Sequence, residues 1–353
     1  MPAVRARAGR MRHDGGRYGL LHTPSDMTLE HDPSRADAPP ATPDGVSLDL
    51  AGIVTQLRAA RERWRDQQGR SREVGVRELP SREALAAILD GLRGALFPMR
   101  LGPPDLRQES EDYYVGHTLD TALHALVTQV RLELRYHGRA SGEGVAPALD
   151  DRALAIVREF GAALPRLREL LDTDVIAAYR GDPAARSVDE VLVCYPGLHA
   201  MIHHRIAHQL HQLGVPLLAR IVAELAHGAT GIDIHPGARI GSHFFIDHGT
   251  GVVIGETAVI GNNVRIYQAV TLGAKRFETD ADGALHKGGP RHPIVEDDVV
   301  IYAGATVLGR VTIGRGASIG GNVWLTRSVP PGSRIAQAIA RDDRIDDGPG
   351  SGR

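Results

Sequence analysis

A chain of 353 residues exceeds one typical domain and suits two. Its 41 basic and 43 acidic side chains leave a formal net charge of −2, so no global field draws it to nucleic acid or to an anionic membrane, and a small-molecule partner is the default. One cysteine, Cys194, excludes an internal disulfide framework and a thiolate metal cluster within one chain, and it fits a reducing, cytoplasmic setting.

Residues 1–46 are rich in Arg, Gly, Pro and Asp with little periodicity, and read as a disordered N-terminal tail. Its basic start is followed by no apolar core, which argues against a secretory signal. No later run is apolar for the roughly 18 residues a membrane span needs. From Ser47, a candidate cap, the pattern turns helical, with Leu48, Leu50, Ile53, Val54 and Leu57 at helical spacing. Ser81 and Glu83 open a second helix carrying Leu85, Ile88, Leu89 and Leu92. Further helices are expected over about 109–136, 148–171 and 196–213, with a turn near Gly181–Pro183 and a short helix within 215–231. Together they make an α-helical domain over 47–228.

Five histidines sit on the 196–213 helix: His199, His203, His204, His208 and His211. Residues 204, 208 and 211 share a face, but no glutamate stands in an HExxH frame and no cysteine assists. A packed or interfacial face is the expectation, and no metal is assigned.

After Gly231 the texture changes. Val295, Ile301, Val307, Ile313, Ile319 and Leu325 recur every six residues without a slip, and Ile234, Ile240, Ile246 and Ile254, Ile260, Ile266, Leu272 form two earlier phases. A hexapeptide period marks a parallel β-helix, in which the aliphatic residue fills the interior of a triangular coil and a small residue eases the corner. The fold class is therefore α+β: helical domain, then a β-helix over 229–329 with an extruded loop at 274–293, then a C-terminal tail from 330 to 353.

Two departures from the period point to function. Between Ile246 and Ile254 the spacing is eight, so two extra residues surround Asp247-His248-Gly249-Thr250-Gly251. The other departure is the polar, Gly- and Pro-containing loop, and long loops inside a compact repeat are usually functional. In a coil of roughly 18 residues, Asp233 and His248 fall near one another on adjacent turns. A neutral imidazole beside a carboxylate takes an alcohol proton while the carboxylate fixes its tautomer. Arg291, between Pro290 and His292-Pro293, offers a planar fork for a carboxylate. Asp174 fits a helix cap or a ligand role equally. No P-loop and no nucleophile elbow is present.

At these residues the chain resembles the serine O-acetyltransferases. The matching stretches are GIDIHPGARIG (231–241), IDHGTGVVIGETAVIGNNVRIYQAVTLG (246–273), RHPIVEDDVVIYAGATVLGRVTIGRGASIGG (291–321) and SVPPG (328–332). The resemblance implies a left-handed β-helix, a homotrimer often doubled to a hexamer, and a site between neighbouring coils. It implies His248 as general base with Asp233 orienting it, Asp174 and Asp247 on the serine ammonium, and Arg291 with His292 on its carboxylate. Acetyl-CoA, the co-substrate, would lie near Gly273, Ala274 and Ala303. The serine hydroxyl would attack the thioester directly to give O-acetylserine for cysteine biosynthesis, and cysteine would inhibit as a mimic of serine.

Departures from the family pattern are a longer loop before Arg291, Ser318 where a lysine often assists CoA binding, and the tail. The tail lacks the G-x-P-A motif and terminal isoleucine through which the family docks O-acetylserine sulfhydrylase, so that complex is not carried over. A hexapeptide acyltransferase with another hydroxyl acceptor, such as a sugar or amino alcohol, remains the alternative. A trimeric zinc lyase and a catalytically silent scaffold are further readings.

Overall fold

The structure, a computed structural model, describes residues 49–69, 79–141, 146–275 and 288–337. Its contacts divide the chain into two compact units, residues 1–74 and 75–353. The first unit contains helix α1 (Leu50–Gln67), whose first turn is capped by Asp49 accepting from the Gly52 amide. The expected cap Ser47 and the expected tail lie outside the described residues.

The second unit opens with α2 (Arg82–Leu96), α3 (Pro98–Leu101) and α4 (Glu111–Ser141). Ser81 caps α2 as expected, its Oγ accepting from Ala84 N at 3.2 Å. The stripe Leu85, Ile88, Leu89 and Leu92 is buried, and α2 packs on α4. Helix α5 (Ala146–Gly181) runs ten residues past its expected end, because Val175 and Ala178 continue its apolar face into a small cluster with Val191, Leu198 and Phe245. Helices α3 and α6 (Val188–Cys194) were not expected; neither is long enough to show a helical period. Helices α7 (Pro196–Gln212) and α8 (Pro216–Thr230) each begin with proline at the first position, where a missing N–H costs nothing.

Helix α8 has no side-chain cap of its own. Glu133 of α4, fully buried, reaches across instead and accepts from the Leu217 and Leu218 amides, both at 2.8 Å. A carboxylate at a helix N-terminus also meets the positive end of the helix dipole. His203 and His204 of α7 are buried, as expected for a packed face.

The rest is the left-handed parallel β-helix. Its strands are β1 (Asp233–Ile234), β2 (Arg239–Ile240), β3 (Phe245–Ile246), β4 (Val253–Ile254), β5 (Val259–Ile260), β6 (Arg265–Ile266) and β7 (Thr271–Gly273). Further along the chain come β8 (Ile294–Val295), β9 (Val300–Ile301), β10 (Thr306–Leu308), β11 (Thr312–Ile313), β12 (Ser318–Ile319), β13 (Trp324–Leu325) and β14 (Arg334–Ile335), and residues 276–287 of the expected loop lie outside the described residues. They stack into three parallel sheets ordered β1-β4-β7-β10-β13, β11-β8-β5-β2 and β14-β12-β9-β6-β3. Strand β14 pairs with β12 and continues the coil into the segment expected to be tail. Every aliphatic position of the six-residue pattern is buried, and these side chains join the helical core in one cluster.

The corners differ from expectation in one respect. The left-handed residue is the third after the aliphatic one, as at His243, Asn263, Asp298 and Gly316, while the glycines next to the aliphatic are not in that region. Polar ladders run up this corner: Ser242 N donates to Asn262 Oδ1 at 2.9 Å and Asn262 N to Asp297 Oδ1 at 2.8 Å. Asn and Asp tolerate left-handed backbone best among non-glycine residues, which explains their recurrence. Among the described residues, no helix is long and apolar enough to cross a membrane.

Replacing Glu133 by alanine leaves two enclosed amides without an acceptor. Loss of a charge-assisted bond of this kind costs about 1.5–3 kcal/mol, so Glu133→Ala is expected to lower the thermal transition clearly, as measured by circular dichroism.

Candidate functional site

The register shows where the coil breaks step. Asp233 pairs with Val253, twenty residues on, whereas Val253 pairs with Thr271, eighteen on. The two extra residues fall between β3 and β4. There Gly249 N donates to Asp247 O at 2.7 Å, a bond that spans only two residues, and the residue between them, His248, has φ +60°. This is a γ-turn of the positive-φ kind, which is rare and strained. Such strain persists where surrounding structure holds it, and it gathers at functional sites.

Gly249 follows at φ +85°, and a Cβ there would overlap Ile232 Cδ1, so only glycine fits. Gly251 N donates to Gly231 O at 2.8 Å and pins the far side of the turn. The result is an imidazole thrust out of the coil, its side chain 70% exposed, with Nδ1 3.9 Å from Asp247 Oδ1.

Two helix ends press on the same corner. The first turn of α7 meets β3 at Gly197, where a Cβ would overlap the Ile246 carbonyl oxygen. The end of α5 meets Phe245 and Arg265 at Gly181. The chain then turns at Asp182, whose Oδ1 accepts from Ala184 N at 2.8 Å and whose Oδ2 accepts from the Tyr195 hydroxyl at 2.5 Å. The Tyr195 bond, then the Ala184 bond, hold the Asp182 carboxyl below the usual range, and the charges of His248 and Arg265 add to this. Tyr195 is pushed up to about 12, first by the Asp182 hydrogen bond. Asp182, Tyr195, Asp247 and His248 therefore form one polar cluster.

The expected ligand Asp174 is not part of it. Its carboxylate is buried and held by Arg205, with Nε at 2.7 Å and Nη2 at 2.9 Å, and it also accepts from Phe244 N at 3.0 Å. Both oxygens are engaged, so the group joins helices to coil and cannot take a substrate ammonium. Asp182 is the carboxylate that sequence reasoning missed. The signal was present in Gly181-Asp182-Pro183, a turn at a helix end, where exposed functional groups gather.

Asp233 is one coil turn away from His248, but no hydrogen bond or ion pair joins the two in the protomer. Its carboxylate lies with Glu224 and His227, their candidate ligand atoms all within 4.8 Å of one another.

Arg291 and His292 precede β8, at the corner between the first and second sheets, whereas His248 lies at the corner between the third and the first. Arg291 Nη2 meets Glu256 Oε2 at 2.6 Å. His292 Nδ1 lies 3.0 Å from Thr257 N and 2.9 Å from Thr257 Oγ1, so the network makes Nδ1 the acceptor and leaves the proton on Nε2. A Cβ at Gly255 would overlap this ring, which accounts for that glycine. Burial, then Arg291, lowers His292 to about 4, so it works as a neutral donor. Gly273 and Ala274 leave β7 beside Gly309, while Ala303 precedes β10, so the expected CoA contacts lie at opposite ends of one face.

A coil built of six-residue repeats, with two extra residues at one corner that display a histidine beside carboxylates, defines a transferase of the hexapeptide-repeat class. Residues 292–327 match the family model described as bacterial transferase hexapeptide (six repeats). A plasmid serine acetyltransferase of Synechococcus elongatus is 60% identical over 274 residues, covering 77% of this chain and 86% of that protein. The serine acetyltransferase of Bacillus licheniformis is 49% identical over 167 residues, 47% of this chain and 73% of its own. Among solved structures, serine acetyltransferase 1 of Entamoeba histolytica in complex with L-cysteine superposes with a TM-score of 0.62 at 38% identity, over 71% of this chain and 86% of that one. Isoform 3 from the same organism, in complex with cysteine, gives 0.61 at 34% identity, over 82% and 95%. The chain belongs to the serine acetyltransferase family.

Two outcomes follow from the geometry. Asp174→Ala leaves the buried Arg205 without its counter-ion, at a cost of about 3–5 kcal/mol, whereas Asp182→Asn keeps the fold and raises the acceptor Michaelis constant; thermal melts and steady-state kinetics separate the two. His292 is lowered in the folded protein from an ordinary 6.5 to about 4. The unfolded chain thus binds the extra proton between those values, and this histidine's contribution makes stability fall as pH drops from 6.5 towards 4. Its ring resonances are expected to stay constant from pH 8 to pH 5 by NMR.

Proposed function

We propose that this chain transfers the acetyl group of acetyl-CoA to the hydroxyl of L-serine, with His248 as general base. The observation that carries the reading is the γ-turn that displays His248 beside Asp247 and Asp182. Serine is a zwitterion, and the two clusters suit its two ends. Asp182 and Asp247 offer negative charge to the ammonium, while Arg291 and the Nε2–H of His292 offer donors to the carboxylate.

These clusters occupy different edges of the triangular coil. A homotrimer, in which an edge of one protomer faces a different edge of its neighbour, supplies the way to bring them together, and a dimer of trimers is compatible with it. Acetyl-CoA then runs along the groove between protomers past Gly273, Ala274 and Ala303. The imidazole takes the hydroxyl proton as the serine oxygen attacks the thioester carbonyl. The C–S bond breaks, the thiolate is protonated, and O-acetylserine and CoA leave. Asp233 orients the imidazolium by swinging from Glu224 and His227 towards the ring once substrate is bound; hydrogen bonds of this kind are often long in the free enzyme. Cysteine, with the same ammonium and carboxylate, competes for the same groups. The single cysteine supports a cytoplasmic setting.

Purified protein with acetyl-CoA is expected to release free thiol only when serine is added. Retained release with a sugar and none with serine contradicts the reading. His248→Ala is expected to lower kcat by about 10²–10⁴-fold with the oligomer unchanged in light scattering, and Asp233→Asn to lower kcat more than it raises the serine Michaelis constant.

A further inference from the structure

Between Pro290 and Pro293 the chain re-enters the coil with only two amides, those of Arg291 and His292, because proline has no N–H. Both donate to one oxygen, Oγ1 of Thr257, at 2.9 and 3.1 Å. Thr257 lies between β4 and β5, at the same corner of the triangle one coil earlier. Its own amide donates to His292 Nδ1 at 3.0 Å, and its hydroxyl lies 2.9 Å from the same nitrogen.

A hydroxyl has two lone pairs and one proton. The two amides take the lone pairs, which directs the proton to His292 Nδ1. Every bond this side chain can make is therefore spent on the two residues assigned to the acceptor carboxylate. Its neighbour Glu256 holds the Arg291 guanidinium at 2.6 Å. Arg310 donates to the carbonyls of Thr257 and His292, at 2.6 and 3.0 Å, and so ties the same two strand approaches together from the main chain.

We infer that Thr257 is a positioning residue for the acceptor carboxylate: its hydroxyl sets the backbone of Arg291 and His292 and holds the His292 ring with its proton on Nε2. What the pair binds rests on the function proposed above; the hold on the ring does not.

Thr257→Val keeps the branched shape and removes the hydroxyl, while Thr257→Ser keeps the hydroxyl. In the full-length chain, Thr257→Val is expected to raise the serine Michaelis constant about tenfold with kcat changed by less than about twofold, and Thr257→Ser to stay close to the unaltered enzyme. In a background carrying both Arg291→Gln and His292→Gln, adding Thr257→Val is expected to change kcat/KM for serine by less than about twofold, since its effect passes through those residues. By NMR, the His292 ring is expected to take up its proton at higher pH in Thr257→Val than in the unaltered chain, because a bond made only to the neutral ring is lost. Arg291, Glu256, His235 and Arg310, whose charges act on that ring, are all retained in this variant.

An unchanged serine Michaelis constant in Thr257→Val, a defect shared equally by Thr257→Ser, or an undiminished effect in the doubly substituted background would each overturn the role. The ring titration needs no acceptor. An unaltered chain that releases no thiol with serine refutes the proposed substrate, whereas an unchanged titration in Thr257→Val refutes the hold on the ring. Should Thr257→Val fail to fold, Thr257→Ala, which has less bulk, is read in the same way.

Discussion

Everything at the site depends on one misfit in a regular coil. The coils advance by eighteen residues where they are regular and by twenty at the first turn, and the excess gathers at a single corner. A chain with two residues too many must either bulge away from the ladder or fold them tightly against it. Here it does the second, through a γ-turn that holds His248 at positive φ between two anchored amides. The left-handed conformation costs about 1–2 kcal/mol for a non-glycine residue, and the sealed packing of Gly249 on Ile232 prevents relaxation. The imidazole is thereby presented before any substrate arrives, and the ordering entropy is already met by the fold.

The helical half serves this corner. Arg205 of α7 grips Asp174 of α5 and also donates to the Ile240 and Gly241 carbonyls, at 3.1 and 2.7 Å. Three elements, α5, α7 and β2, are thus tied to one buried guanidinium. With that joint fixed, the ends of α5 and α7 close on β3 and bring Asp182 and Tyr195 to the histidine. Burial of an ion pair gains little by itself. Its worth here is geometric, because it sets where two helix ends meet a coil.

The β-helix was legible because its signal is local and repeated: one aliphatic residue every six, each filling an identical interior slot. The break at 246–254 was legible for the same reason, as an interruption of a strict period, while residues 276–287 of the expected loop lie outside the described residues. Helices α3 and α6 were not, since four and seven residues carry too few apolar positions to reveal a face. The exchange of Asp174 for Asp182 has a different cause. Both lie in one short segment, both suit a helix end, and only a partner thirty-one residues on in the chain, Arg205, decides that the first is structural. Likewise the placement of His248 and Arg291 on different edges depends on which sheet each strand joins, a long-range property that local spacing does not encode.

The central claim is that the strained turn, and not merely the presence of a histidine, makes the base effective. Gly249→Ala tests it most directly, because it leaves every polar group in place while its Cβ forces the turn away from Ile232. The turnover number for serine acetylation is expected to fall by about 10²-fold, the scale of a misplacement of roughly 1 Å, while circular dichroism shows a folded protein. A turnover number equal to that of the unaltered enzyme would contradict the account.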